Sequence, residues 1–88
     1  MRALLKKEAG PGLVLEHVPE PEAGPGEVKI RIKKAAICGT DIHIYNWDAW
    51  AAATIPHPMT VGHEFVGVIE ALGEGVNEFK VGQRVFGQ

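Results

Sequence analysis

Hydrophobic and polar positions alternate most clearly where Val28, Ile30 and Ile32 take turns with Lys29, Arg31 and Lys33. A period of two is the pattern of a strand with one face in water. At Ala35-Ala36-Ile37 the alternation stops, which predicts that the strand runs on with both faces buried. Shorter apolar runs, Ala3 to Leu5 and Leu13 to Val18, predict two earlier strands with a Pro11-Gly12 turn between them. Phe65 to Leu72 and Val81 to Phe86 predict two later strands, separated by a turn at Gly73 to Gly75. The connection PEPEAGPG, Pro19 to Gly26, is too rich in Pro and Gly for a regular element.

Between the third and fourth of these strands the pattern changes. Thr40 or Asp41 can cap a helix of one or two turns through Ile42 and Tyr45. Trp47 to Thr60, with Pro56 and Pro58, is predicted to be a loop with some apolar content. No segment repeats. About five strands and one short helix predict a mainly β fold, a small and partly open barrel.

Composition narrows the picture. A chain of 88 residues suits one small domain, residues 1–88, with one modest core. The net charge is −2, and basic residues adjoin only at Lys6-Lys7 and Lys33-Lys34. That predicts no nucleic-acid partner and no anionic membrane surface. No apolar run approaches the roughly 18 residues of a membrane span. The start, MRALLKKEAGPG, has too short an apolar core for a signal peptide. Cys38 is the single cysteine, so an intrachain disulfide is excluded, in keeping with a reducing compartment. Together these features predict a cytoplasmic protein. The chain stops at Gln88 directly after a predicted strand, which predicts a truncated domain.

Two constellations carry candidate chemistry. The first is Cys38-Gly39-Thr40-Asp41-Ile42-His43. A thiolate at a strand end, with Gly permitting an abrupt turn, is placed to face a cleft. Thr40 and His43 are three apart, so one helical turn sets them on the same face. A hydroxyl next to a metal ligand, with an imidazole behind it, makes a proton path, because His titrates near neutral pH. The second is Gly62-His63-Glu64, followed by Gly67, Gly73 and Val76. His63 offers a ring nitrogen; Glu64 offers a carboxylate, as a direct ligand or as a partner of the ligand. Zinc accepts S, N and O donors, and catalytic zinc keeps one position open. Cys38 and His63 lie 25 positions apart, which is no zinc-finger spacing, so the fold must bring them together.

Taken singly, each residue has a plainer explanation. A lone Cys at a strand end is more often a small buried hydrophobe. His57 reads as a polar surface group, and Glu64 alone as a solvated charge or strand-edge gatekeeper. Gly67 and Gly73 alone would be a bulge and a turn. Trp47 and Trp50 fit an apolar patch closing the barrel end as well as they fit a pocket wall.

As an ordered set, CGTDxH and then GHExxGxxxxxGxxV resembles the zinc-dependent medium-chain alcohol dehydrogenases at every one of these positions. The likeness runs from MRALLKK to VGQRVFG. It implies the GroES-like catalytic domain of that family. It further implies that Cys38 and His63 bind a catalytic Zn2+, with Glu64 a ligand in at least one state and another ligand from beyond residue 88. Thr40 would take the hydroxyl proton and His43 would relay it outward. Within the family, HIYNWDAW and TIPHPMTVGHE resemble members that oxidise L-threonine with NAD+ to L-2-amino-3-oxobutanoate as homotetramers. No GxGxxG follows a strand, so NAD+ would be bound by a Rossmann domain that this chain lacks. No cysteine-rich structural zinc lobe is present either. These 88 residues alone are therefore expected to be inactive. The family commonly reads GDRV where this chain has Gly82-Gln83-Arg84-Val85. The alternatives are a polyol or other secondary-alcohol dehydrogenase of the same family, and a non-catalytic GroES-like module.

Overall fold

The structure, a computed structural model, describes residues 1–88. Its elements in chain order are β1 (Arg2–Lys6), β2 (Val14–His17), β3 (Val28–Ala36), α1 (Gly39–Asn46), α2 (Ala49–Thr54), β4 (Met59–Thr60), β5 (Glu64–Leu72) and β6 (Arg84–Gly87). The fold is mainly β, as predicted, but has two short helices rather than one. The elements fall into two compact units, residues 1–19 with 37–62, and residues 20–36 with 63–88.

In the first unit β1 is the central strand of the sheet β2-β1-β4, antiparallel to both neighbours. Leu5 pairs with Val14 on one side and Thr60 on the other. Alternation along β1 buries Ala3 and Leu5, and the helices bury Ile44 and Ala51. α1 begins at Cys38, which is extended (φ −98°, ψ 157°). Asp41, at the third helical position, returns its carboxylate to the Cys38 amide at 3.0 Å. This is the capping role expected of an acidic residue in the first turn, but Cys38 and not Thr40 or Asp41 is the cap residue. α1 ends at Trp47, which takes up a left-handed conformation (φ 55°) and donates its amide to the carbonyl of His43 at 2.9 Å. A non-glycine residue there costs about 1–2 kcal/mol, which its surroundings must offset.

The expected loop after Trp47 contains α2. Asp48 Oδ1 accepts the Ala51 amide at 2.9 Å, and four of the six helical residues are alanine, the best helix former. Ile55 is extended ahead of Pro56, which ends the helix.

In the second unit β5 is central in the antiparallel sheet β3-β5-β6. The β3–β5 register runs from Val28 opposite Leu72 to Ala36 opposite Glu64, with irregularities at Lys29/Ile30 and Ile32/Lys34. Ile69 is its most buried apolar side chain, 1% exposed. Two glycines of the sequence motif are required by close approach. A Cβ at Gly67 would overlap the Arg31 carbonyl oxygen, and one at Gly73 the Gly24 carbonyl oxygen.

Two expectations for this sheet need correction. Ala35, Ala36 and Ile37 are exposed, not buried on both faces: the partner of β3 is β5, which pairs along its edge, and edge pairing covers neither face of a strand. The last strand begins at Arg84 and not Val81, because Lys80 to Gln83 forms a turn. Gln83 Oε1 accepts the Lys80 amide at 3.1 Å, and the Gln83 carbonyl accepts from Ile69 at 2.9 Å. Gln83 thus closes this turn with its own side chain, the local role available to a shorter carboxylate.

Candidate metal centre

The first unit holds the Cys38–His43 constellation. Cys38 is half-buried at the N-terminal end of α1, where the helix dipole favours negative charge on its sulfur. The Thr40 hydroxyl oxygen lies 3.7 Å from that sulfur. A hydroxyl is therefore held beside the thiol.

Thr40 and His43 share one turn of α1, but their side chains engage different partners. The His43 side chain is 59% exposed, and its Nδ1 meets Asp48 Oδ2. The Trp50 ring stands edge-on to His43, centroids 6.0 Å apart. The Ala51 amide, and after it His43, holds the Asp48 carboxyl below the usual carboxylate range. An imidazole open to water and fixed at one nitrogen is suited to passing protons outward.

Asp48 escaped the sequence reading, although a readable signal was there. It stands immediately before AWAAAT, the position of a helix cap. Lys6 escaped it as well. Its side chain is buried, donates to the carbonyls of Gly10 (2.6 Å) and Gly12, and lies over the Trp47 ring. Burial lowers its pKa from the ordinary lysine value. His57 is exposed, as expected, with its ring edge-on to Trp47 at 5.7 Å. Trp47 is thus packed among local side chains, while Trp50 adjoins His43.

The second unit holds His63 and Glu64. Glu64 opens β5 in register with Ala36, the last residue of β3, and His63 precedes it along the chain; both are half-buried.

Residues 24–88 match the family model for the alcohol dehydrogenase GroES-like domain. The chain belongs to this family. Over all 88 residues it is 59% identical to an L-threonine 3-dehydrogenase of Mesorhizobium japonicum, of which it covers 26%. Among solved structures it is similar to zinc-dependent alcohol dehydrogenase 2 from Streptococcus pneumonia, with a TM-score of 0.82 at 36% identity, covering 98% of this chain and 24% of that one. It is also similar to 2R,3R-butanediol dehydrogenase from Bacillus subtilis, with a TM-score of 0.81 at 35% identity over 97% of this chain and 26% of that one. This GroES-like chain spans about a quarter of the length of the curated relatives it matches. No helix in it is long and apolar enough to cross a membrane.

Proposed function

We propose that this chain is the zinc-binding catalytic part of an NAD+-dependent oxidoreductase that converts L-threonine to L-2-amino-3-oxobutanoate. The observation that carries the reading is the 59% identity over all 88 residues with a protein named L-threonine 3-dehydrogenase.

Cys38, His63 and Glu64 are the residues that would hold the metal. Each is partly buried and offers one donor atom, respectively a sulfur, a ring nitrogen and a carboxylate oxygen. That mixed S, N and O set suits zinc, and three donors leave one position of a tetrahedral site open, for substrate or, where Glu64 gives way, a further ligand. Chain connectivity supports the grouping. Ala36 is in register with Glu64, and Cys38 follows Ala36 by only two residues, a reach of at most about 7 Å.

Bound zinc would supply a Lewis acid that lowers the pKa of the substrate hydroxyl. The chain's own residues then manage the proton. The Thr40 hydroxyl, beside the Cys38 sulfur, would accept it from the substrate hydroxyl while giving up its own, and that proton would leave to water by way of exposed His43. The hydride from the threonine β-carbon goes to NAD+ bound by another part of the protein, so the alcohol loses one hydride and one proton.

A second reading rests on the likeness to butanediol dehydrogenase, a secondary-alcohol enzyme by its name. Turnover of L-threonine, sorbitol and 2,3-butanediol by the whole protein separates the two. Preference for threonine supports the first reading; preference for a diol or polyol replaces it. The 88-residue chain alone, given zinc, NAD+ and threonine, is expected to form no NADH.

A further inference from the structure

His43 is held by a residue outside the CGTDxH motif. Asp48 lies five positions further on, and the chain doubles back to bring it there, with the amides of Trp47 and Asp48 both reaching the His43 carbonyl, at 2.9 and 3.4 Å. The two Asp48 oxygens have separate tasks. Oδ1 accepts the Ala51 amide at 2.9 Å and starts α2; Oδ2 meets His43 Nδ1. The edge-on Trp50 ring, from the first turn of α2, bounds the imidazole as well.

The chemistry of this contact is one-sided. An ionised carboxylate only accepts hydrogen bonds, and a neutral imidazole carries one N–H. Nδ1 must therefore carry the proton, and Nε2 is left as the acceptor. We propose that Asp48 is the positioning residue for His43, selecting the Nδ1–H tautomer so that Nε2 is the nitrogen that accepts a proton. The inference rests on the reading of His43 as the proton outlet, and it identifies what would make that outlet directional. Asp48 touches neither substrate nor cofactor in this account; it acts through the imidazole. The α2 helix gains a second purpose, since its cap residue and its Trp50 together fix the ring.

The test is the 15N spectrum of histidine-labelled chain, recorded well above the ordinary histidine pKa so that the ring is neutral. The unsubstituted protein is expected to show His43 with a pyrrole-type Nδ1 and a pyridine-type Nε2. In Asp48→Asn the single carbonyl oxygen stays with the Ala51 amide and the NH2 group faces Nδ1, so the tautomer is expected to reverse. In Asp48→Ser the hydroxyl still caps α2 but falls short of the ring, and a mixed, exchanging tautomer is expected. Rigid Nδ1–H in all three proteins would overturn the proposal, and so would a mixed or Nε2–H tautomer in the unsubstituted protein. That last measurement stands even where a variant fails to fold. In the whole enzyme, Asp48→Ser is expected to lower kcat roughly 10- to 100-fold with KM nearly unchanged, the effect of a residue that orients another. A loss confined to KM would contradict a role in proton transfer. The tautomer is read without zinc or threonine, so it can fail while the threonine reading survives, and the reverse.

Discussion

The Lys6 ammonium lies over the ring of Trp47, 5.1 Å from its centroid. The contact joins the end of β1 to the residue that terminates α1, at the one non-glycine position with positive φ. Lys6 also binds the carbonyls of Gly10 and Gly12, and the Gly12 amide donates to the Tyr45 carbonyl at 2.7 Å. A single buried cation thus ties the 10–12 turn to the C-terminal end of α1, and its cation–π contact helps offset the backbone strain at Trp47.

Lys6→Met keeps most of the side-chain volume and removes the donors. It should destabilise the protein by about 1–3 kcal/mol at pH 7, because two carbonyls lose a charged partner. The difference from the unsubstituted chain should also change with pH. Burial lowers the folded pKa of Lys6 below 10.5, so between the folded value and 10.5 the unfolded chain binds more protons. Over that window the Lys6 protein gains stability relative to Lys6→Met as pH rises, and a neutral amine still has two N–H groups for Gly10 and Gly12. Urea unfolding of both proteins from pH 7 to 10.5 measures the gap. A gap that narrows over that range would contradict this account of Lys6.

Asp48 should show a dependence of the same sign in an acid window. Its folded pKa is lowered below 3.8, by the Ala51 amide and then by His43. The carboxylate's contribution is fully present above 3.8 and is lost as pH falls through the folded value. Acid unfolding should therefore show Asp48→Ser less stable than the unsubstituted chain at pH 5, with the two converging below pH 3.8.

Gly67→Ala should cost about 1–3 kcal/mol, or more, because the added methyl meets backbone and not a side chain that can swing aside. Thermal unfolding measures the loss. A variant as stable as the unsubstituted chain would show that β3 and β5 can separate at no cost.

What the sequence disclosed and what it hid follow from how local each signal is. The alternation over Val28 to Ile32 marked β3 through its period of two, although the burial does not follow it: Lys29 is half-buried and Ile32 is 50% exposed. The short helix of six residues, Ala49–Thr54, was hidden, since a helix so short has little periodicity and depends on its Asp48 cap. The start of the last strand was misplaced because Val81 is apolar but lies in a turn, 63% exposed. For the candidate site, the order and spacing of Cys38, Thr40, His43, His63 and Glu64 single them out through the family resemblance. Asp48 and Lys6 were not, because their roles arise where the chain folds back, at His43 and over Trp47.

The central claim, that Cys38, His63 and Glu64 hold zinc, is tested most directly by titrating zinc into the 88-residue chain and counting bound ions by native mass spectrometry. Binding should be one ion per chain and should release protons, since a thiol must ionise to ligate. Cys38→Ala and His63→Ala should each abolish the bound ion, while Cys38→Ala leaves the amide spectrum of β3, β5 and β6 in place. One zinc per chain retained in both variants, or no zinc taken up by the unsubstituted protein, would contradict the assignment.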